Sequence, residues 1–154
     1  MKRFLPLLAL VIVLGAGCST SSTPSIAPSI EARELDLSGR NLTAIPSDVF
    51  SKRELEHLDV SDNRLTGAPQ AEIRHLQNLK TLDLSGNQLT GLPAELGQLA
   101  NLQVLDVSDN KLTGLPMELG NLTQLRILDV SGNSYSKQDL DGIAAKLTNT
   151  EIRR

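Results

Sequence analysis

One short motif recurs five times along the chain. It reads LDLSGRNLTAIP from Leu35, LDVSDNRLTGAP from Leu58, LDLSGNQLTGLP from Leu82, LDVSDNKLTGLP from Leu105 and LDVSGNSYS from Leu128. The opening leucines follow one another at intervals of 23, 24, 23 and 23 residues. Self-similarity at so regular a period requires equivalent structural units, each too small to bury its own apolar face and each covered by its neighbours. The 154 residues leave room for one domain of ordinary size.

Each part of the unit has a physical role. In Leu79-Lys80-Thr81-Leu82-Asp83-Leu84 the alternation turns Leu82 and Leu84 inward and Thr81, Asp83 and Ser85 outward, the mark of a short strand with one buried face. Successive units then stack their strands in parallel. An asparagine follows at Asn63, Asn87, Asn110 and Asn133. Its amide carries both donors and an acceptor, so it can satisfy backbone groups exposed where the chain leaves the strand. The LTGLP stretch turns the corner, and PAELGQL or PMELGNL predicts a short helical return with proline at its start. The extra residue of the second unit falls within Pro69-Gln70-Ala71-Glu72, on that return, where an insertion is best tolerated.

The pattern LxxLxLxxNxL resembles that of the leucine-rich-repeat family, from about residue 30 to the C-terminus. The resemblance implies an α/β solenoid: a short right-handed arc with parallel strands on its concave face and short helical turns on its convex face. It also implies an asparagine ladder at Asn63, Asn87, Asn110 and Asn133, and a concave face that binds partners.

The ends depart from the repeat. Arg40 stands where later units have asparagine, and Glu31, Arg33 and Glu34 line the first strand, where charge discourages other strands from adding. Beyond Asn133, Ser136 to Leu147 reads as an amphipathic helix. Ser136 is its expected N-cap with Asp139 three residues on, and Leu140, Ile143, Ala144 and Leu147 share one side. Its expected role is to cover the last leucine layer as a cap spanning 136–154, with Thr150-Glu151-Ile152 adding a final short strand.

Three outward columns can be read directly. The first runs Glu34, His57, Thr81, Val104, Ile127, passing from polar to apolar, and it alone varies. The second is Asp36, Asp59, Asp83, Asp106, Asp129, and the third is Ser38, Ser61, Ser85, Ser108, Ser131. Carboxylates stacked at about 4.8 Å repel one another. They could mark a cation site or a dock for a basic partner. The alternative is a solvated column balanced by hydrogen bonds and by nearby charges such as Lys80 and Arg126. No calcium-loop spacing accompanies the column, so no metal or other cofactor is expected. The candidate partner-binding residues are Glu34, His57, Thr81, Val104 and Ile127 with Asp59, Asp83 and Asp106.

A hydrolytic reading would combine Ser61, His57 and Asp59. All three lie on an open sheet with no oxyanion hole and nothing to exclude water, which argues against catalysis. His75 falls on the convex side of the same unit, away from His57, so the two cannot share a metal.

The N-terminus carries an address rather than a fold element. Lys2 and Arg3 precede a short apolar run, Phe4 to Ala16, with the anatomy of a secretory signal. The run is shorter than the roughly 20 apolar residues a membrane-crossing helix needs. Gly15-Ala16-Gly17-Cys18 resembles the lipobox of bacterial lipoproteins, although the usual aliphatic residue falls one place early, at Leu14. That resemblance implies removal of residues 1–17 and lipidation of Cys18. Ser19, where an aspartate would favour inner-membrane retention, implies the outer membrane. The alternative is a plain signal cut near Ala16, leaving Cys18 a free thiol. Residues 18–29, rich in Ser, Thr and Pro, predict a solvated tether, and 30–154 the repeat domain.

Composition narrows the partner. The net charge is −3 and the basic residues are scattered, which excludes a phosphate-tracking nucleic-acid binder. Beyond the N-terminal segment the aromatic residues are Phe50 and Tyr135, so the outward face lacks the aromatic anchors of tight interfaces. The reading is a monomeric, non-catalytic protein-interaction module of the bacterial envelope, anchored by lipid, with a protein partner, a basic one being among the candidates. The alternatives are a structural envelope protein binding peptidoglycan or polysaccharide and, more remotely, a hydrolase using His57.

Overall fold

The computed structural model describes residues 33–154. The expected signal peptide of residues 1–17, the expected lipidation site Cys18, the expected tether of 18–29 and Glu31 lie outside the described residues.

Each unit contributes one three-residue strand: β1 (Glu34–Asp36), β2 (His57–Asp59), β4 (Thr81–Asp83), β6 (Val104–Asp106) and β7 (Ile127–Asp129). A further strand, β8 (Glu151–Arg153), follows the last unit. All are parallel, in the order β1-β2-β4-β6-β7-β8. Equivalent residues of successive units pair, so that Leu35, Leu58, Leu82, Leu105, Leu128 and Ile152 form one row. The strands stay short because the asparagine corner follows at once.

Regular register makes the core a set of leucine columns. Leu82, Leu84, Leu89, Leu96, Leu99 and Leu102 are all fully buried within a single unit and its junction with the next. Tyr135 occupies the place of Leu89 and Leu112 and packs against the end of this core.

The convex returns are 3-10 turns: Ser47–Ser51, Ala71–His75, Ala94–Gln98 and Met117–Asn121. Pro46, Pro93 and Pro116 stand just ahead of their turns as N-caps. Five residues suffice for the tighter i→i+3 winding. Leu96 N–H bonds the Pro93 carbonyl at 3.2 Å and Leu119 N–H the Pro116 carbonyl at 3.1 Å. In the second unit the extra residue, Gln70, takes the proline's capping place. Its side-chain amide donates to the Ile45 carbonyl at 2.8 Å, tying the longer return to the unit before it.

Neighbouring returns approach closely. A Cβ on Gly97 would run into the Glu118 carbonyl of the next turn. Gly97→Ala is therefore expected to cost about 1–3 kcal/mol through overpacking against backbone that cannot yield, read as a lower urea midpoint. Gly91→Ala, where an added Cβ meets nothing within 4 Å, is the matching control.

Beside the main sheet lies a smaller one, β3 (Thr66–Gly67) paired in parallel with β5 (Gln88–Leu89). Two-residue strands leave no periodicity to read, and this pairing was not anticipated.

Beyond β7, helix α1 (Lys137–Ala144) occupies the convex place of a further return, and Leu140, Ile143 and Leu147 join the core. It packs on the turn Met117–Asn121, and β8 then continues the sheet. The expected capping box is not formed. Ser136 stands at the N-cap without a side-chain capping bond, and the Asp139 carboxylate instead accepts the Leu115 N–H at 3.3 Å, joining the helix to the preceding unit.

Candidate functional site

Every strand of the six-stranded sheet begins in the variable column, and pairing brings Glu34, His57, Thr81, Val104, Ile127 and Glu151 into one line. Glu34 is exposed, and His57, Thr81, Val104 and Ile127 are half-buried between their neighbours. Two places along each strand the line runs Asp36, Asp59, Asp83, Asp106, Asp129 and ends on Arg153.

Each aspartate has a local partner. Asp59 Oδ1 accepts both the backbone N–H of Ser61 at 2.8 Å and its hydroxyl at 2.6 Å. The same pair of bonds joins Asp36 to Ser38, Asp83 to Ser85, Asp106 to Ser108 and Asp129 to Ser131. The Asp-x-Ser wording thus closes a small side-chain turn where the strand ends. It also engages the Ser61 hydroxyl with Asp59 rather than with His57. Four other units make the same arrangement with no histidine beside it. His75 lies on the convex turn Ala71–His75, far around the unit from His57 on β2. Among the described residues, no three His, Cys, Asp or Glu side chains converge as ligands for a metal ion.

One carboxylate at the centre of the column, Asp83, is disfavoured by its burial. Burial, reinforced by the charges of Asp106 and Asp59, raises the Asp83 carboxyl above its usual value despite the bonds from Ser85. At the open end of the column Asp36 shifts the other way, chiefly through the Ser38 hydroxyl. A carboxyl whose folded value is raised contributes stability below its unfolded value, and that stability is lost as pH rises through the folded value. Asp83→Asn, which keeps an acceptor for Ser85, is therefore expected to raise the melting temperature relative to the native chain at pH 7. The gain should shrink toward pH 3, as thermal scans across that range would show.

The neighbouring cations are not where the aspartates need them. Lys80 is drawn to Glu56 Oε2 at 2.5 Å, and Arg33 Nη1 lies 2.7 Å from Glu56 Oε1. The result is a three-unit ladder, Arg33–Glu56–Lys80, one place ahead of the variable column. Lys80, by its hydrogen bond, is the largest influence lowering the Glu56 carboxyl. Arg126 enters none of the ion pairs among the described residues. The cation in line with the aspartates is Arg153, paired with Glu151 at 2.7 Å. Glu56 and Arg153 were absent from the candidate residues. The signal for both was the same period, counted one place before the strand and one unit beyond the last.

The asparagines lie behind the sheet's C-terminal edge, facing inward. Asn63, Asn87 and Asn110 are buried and Asn133 half-buried. Asn87 donates to the carbonyls of Val60, Leu84 and Ser85, each at 3.0 Å, and its Oδ1 accepts the Leu65 N–H at 3.0 Å. Each asparagine thus staples the corner of its own unit to that of the unit before. The first described unit has no such neighbour among the described residues. Arg40 in that place instead turns its guanidinium to the Asp36 carbonyl at 2.8 Å.

The leucine columns, in-register parallel strands and asparagine corners define a leucine-rich-repeat solenoid. The family model for the leucine rich repeat matches residues 30–89 and 77–134, and the chain belongs to that family. Among solved structures it is similar to a leucine-rich-repeat protein of Leptospira interrogans, at 30% identity and a TM-score of 0.58 over 79% of this chain and 36% of that one. It is also similar to a chain of the BIR3–SERK2 complex from Arabidopsis thaliana, at 40% identity and a TM-score of 0.61 over 66% of this chain and 56% of that one. A third similarity is to the PEPR1–AtPEP1 structure, at 32% identity and a TM-score of 0.62 over 71% of this chain and 16% of that one. The chain thus spans 16–56% of the length of these relatives. No curated protein matches it. The family's fold makes this chain a protein-interaction module.

Proposed function

We propose that the chain is a non-catalytic binding module of the bacterial cell envelope, held to the membrane by lipid on Cys18, and that its concave face meets a protein partner. The observation that carries this reading is the variable column. It is the one outward line whose chemistry changes from unit to unit, while the aspartates and serines beside it repeat unchanged and are occupied with one another. The polar Glu34, His57 and Thr81 give way to apolar Val104 and Ile127, so a partner is read by position along the arc. The unshared aspartate charge favours a basic partner, and the lack of aromatic anchors favours modest affinity assisted by tethering. Two of the similar structures are complexes, BIR3 with SERK2 and PEPR1 with AtPEP1, which supports a protein partner.

The test is cross-linking in cells followed by affinity capture and mass spectrometry. It compares the native chain with a Thr81→Lys, Val104→Lys variant, two residues paired across β4 and β6. A protein captured by the native chain and lost from the variant supports the concave site, and equal capture by both rejects it. Fractionation of Cys18→Ala tests the anchor separately. Release from membranes is expected, and retention in high salt would overturn the lipid reading.

A further inference from the structure

The apolar row at the centre of the sheet ends on Ile152. Like Leu35 at the other end it is half-buried, whereas Leu58, Leu82, Leu105 and Leu128 between them are at most 1% exposed. Its strand, β8, is the last of the sheet, and among the described residues nothing pairs with its outer edge. Backbone groups of alternate residues along a strand face opposite neighbours. On β8 the Glu151 N–H bonds the Arg126 carbonyl at 2.8 Å, and the Arg153 carbonyl accepts the Val130 N–H at 3.0 Å, so both residues face β7. The N–H and C=O of Ile152 are therefore left facing outward, in the plane of the sheet.

The side chains along this edge are complementary to themselves. β8 reads Glu151-Ile152-Arg153, with both charged residues exposed. Two copies laid antiparallel about a two-fold axis at Ile152 exchange its N–H and C=O, as the hydrogen-bonded pair of an antiparallel ladder does. Glu151 of each copy then stands opposite Arg153 of the other, and opposite charges directly across a ladder attract. The apolar row runs on from Ile152 to the same residue of the second copy.

Other edge pairings match less well. β1, the far edge strand, reads Glu34-Leu35-Asp36 and laid antiparallel on itself sets acid against acid. β8 against β1, in either direction, gives one attractive and one repulsive pair. Continued in the parallel register, it would also extend as a filament, whereas the two-fold closes.

We propose that the chain forms a two-fold dimer through β8, the two six-stranded sheets joining into one with Ile152 on the axis. Both concave faces then lie on the same side. Apolar Val104 and Ile127 of the two copies flank the joint, and polar Glu34, His57 and Thr81 lie toward the two ends. A three-residue edge is a small contact, so the dimer is weak.

Sedimentation equilibrium of the full chain in mild detergent, with Cys18→Ser to prevent a disulfide between copies, tests this. A monomer–dimer equilibrium with a Kd below about 1 mM is expected. Glu151→Arg and Arg153→Glu, each alone, set like charges across the joint and should weaken the dimer at least about tenfold. Mixed in equal amounts, one chain presents two positive charges and the other two negative ones, and native strength should return. The double variant Glu151→Arg, Arg153→Glu restores the match within one chain and should dimerise as the native does. A chain that stays monomeric, growth beyond the dimer, indifference to the single changes, or failure of either rescue would overturn the proposal. Both residues are exposed, so the variants should retain the fold, and unchanged melting checks this.

Discussion

Leu105→Ala is expected to lower the unfolding free energy by about 2–5 kcal/mol, toward the upper part of that range. Leu105 is fully buried on β6, with Leu82 and Leu128 paired on either side. The size of the loss depends on whether the site can collapse around the missing methyls. Here the spacing of the layers is held by backbone bonds on both flanks, such as Leu84 N–H to Asp106 O at 2.8 Å and Val107 N–H to Asp129 O at 2.9 Å. A cavity between two fixed layers stays open. Leu35→Ala, in the less covered end layer, should cost distinctly less. Urea unfolding of the two variants beside the native chain makes the comparison. A loss for Leu105→Ala below about 0.5 kcal/mol, the range of an ordinary surface change, would mean that the inward and outward phases of the strands are exchanged.

Asn87→Ala is expected to cost about 2–3 kcal/mol by a different route. Little apolar area is lost. What remains is a buried corner in which the Leu65 N–H and the carbonyls of Val60, Leu84 and Ser85 have lost their common partner. Water would have to enter to serve them. Asn133→Ala removes an equivalent set at a half-buried place near the end of the stack, so solvent should repair part of the damage and the loss should be smaller. The two unfolding midpoints measured under one condition decide the matter. Equal losses would show that burial does not set the strength of these corners.

Much of this molecule was legible because a repeat makes each unit evidence for every other. The inward phase of Leu82 and Leu84 and the outward columns followed from counting, while the final strand, expected at Thr150-Glu151-Ile152, runs one place later at Glu151–Arg153. Counting failed where a residue's partner lay in another unit or where the choice was between bonds of similar reach. Lys80 stands beside the aspartate column and was expected to balance it, yet Glu56 captures it. Ser136 has the type and place of a cap, yet Asp139 is drawn to Leu115 and the reciprocal box is not made. The convex returns were read as short helical turns with proline at the start. Five residues between fixed leucines wind as 3-10 turns, with the proline one place earlier as the cap.

By itself the sequence determined the period, the leucine and asparagine columns and hence the parallel stack. Those features are local patterns repeated, and a stack is the arrangement that buries the leucines of all five units at once. Only the tertiary structure decided which charges meet across units, which carboxylate loses its solvent, and how close the returns at Gly97 and Glu118 come. Such outcomes depend on distances between chain segments about one repeat apart, from 21 residues for Gly97 and Glu118 to 24 for Glu56 and Lys80. They are set by the curvature and spacing of the arc, which no single unit contains.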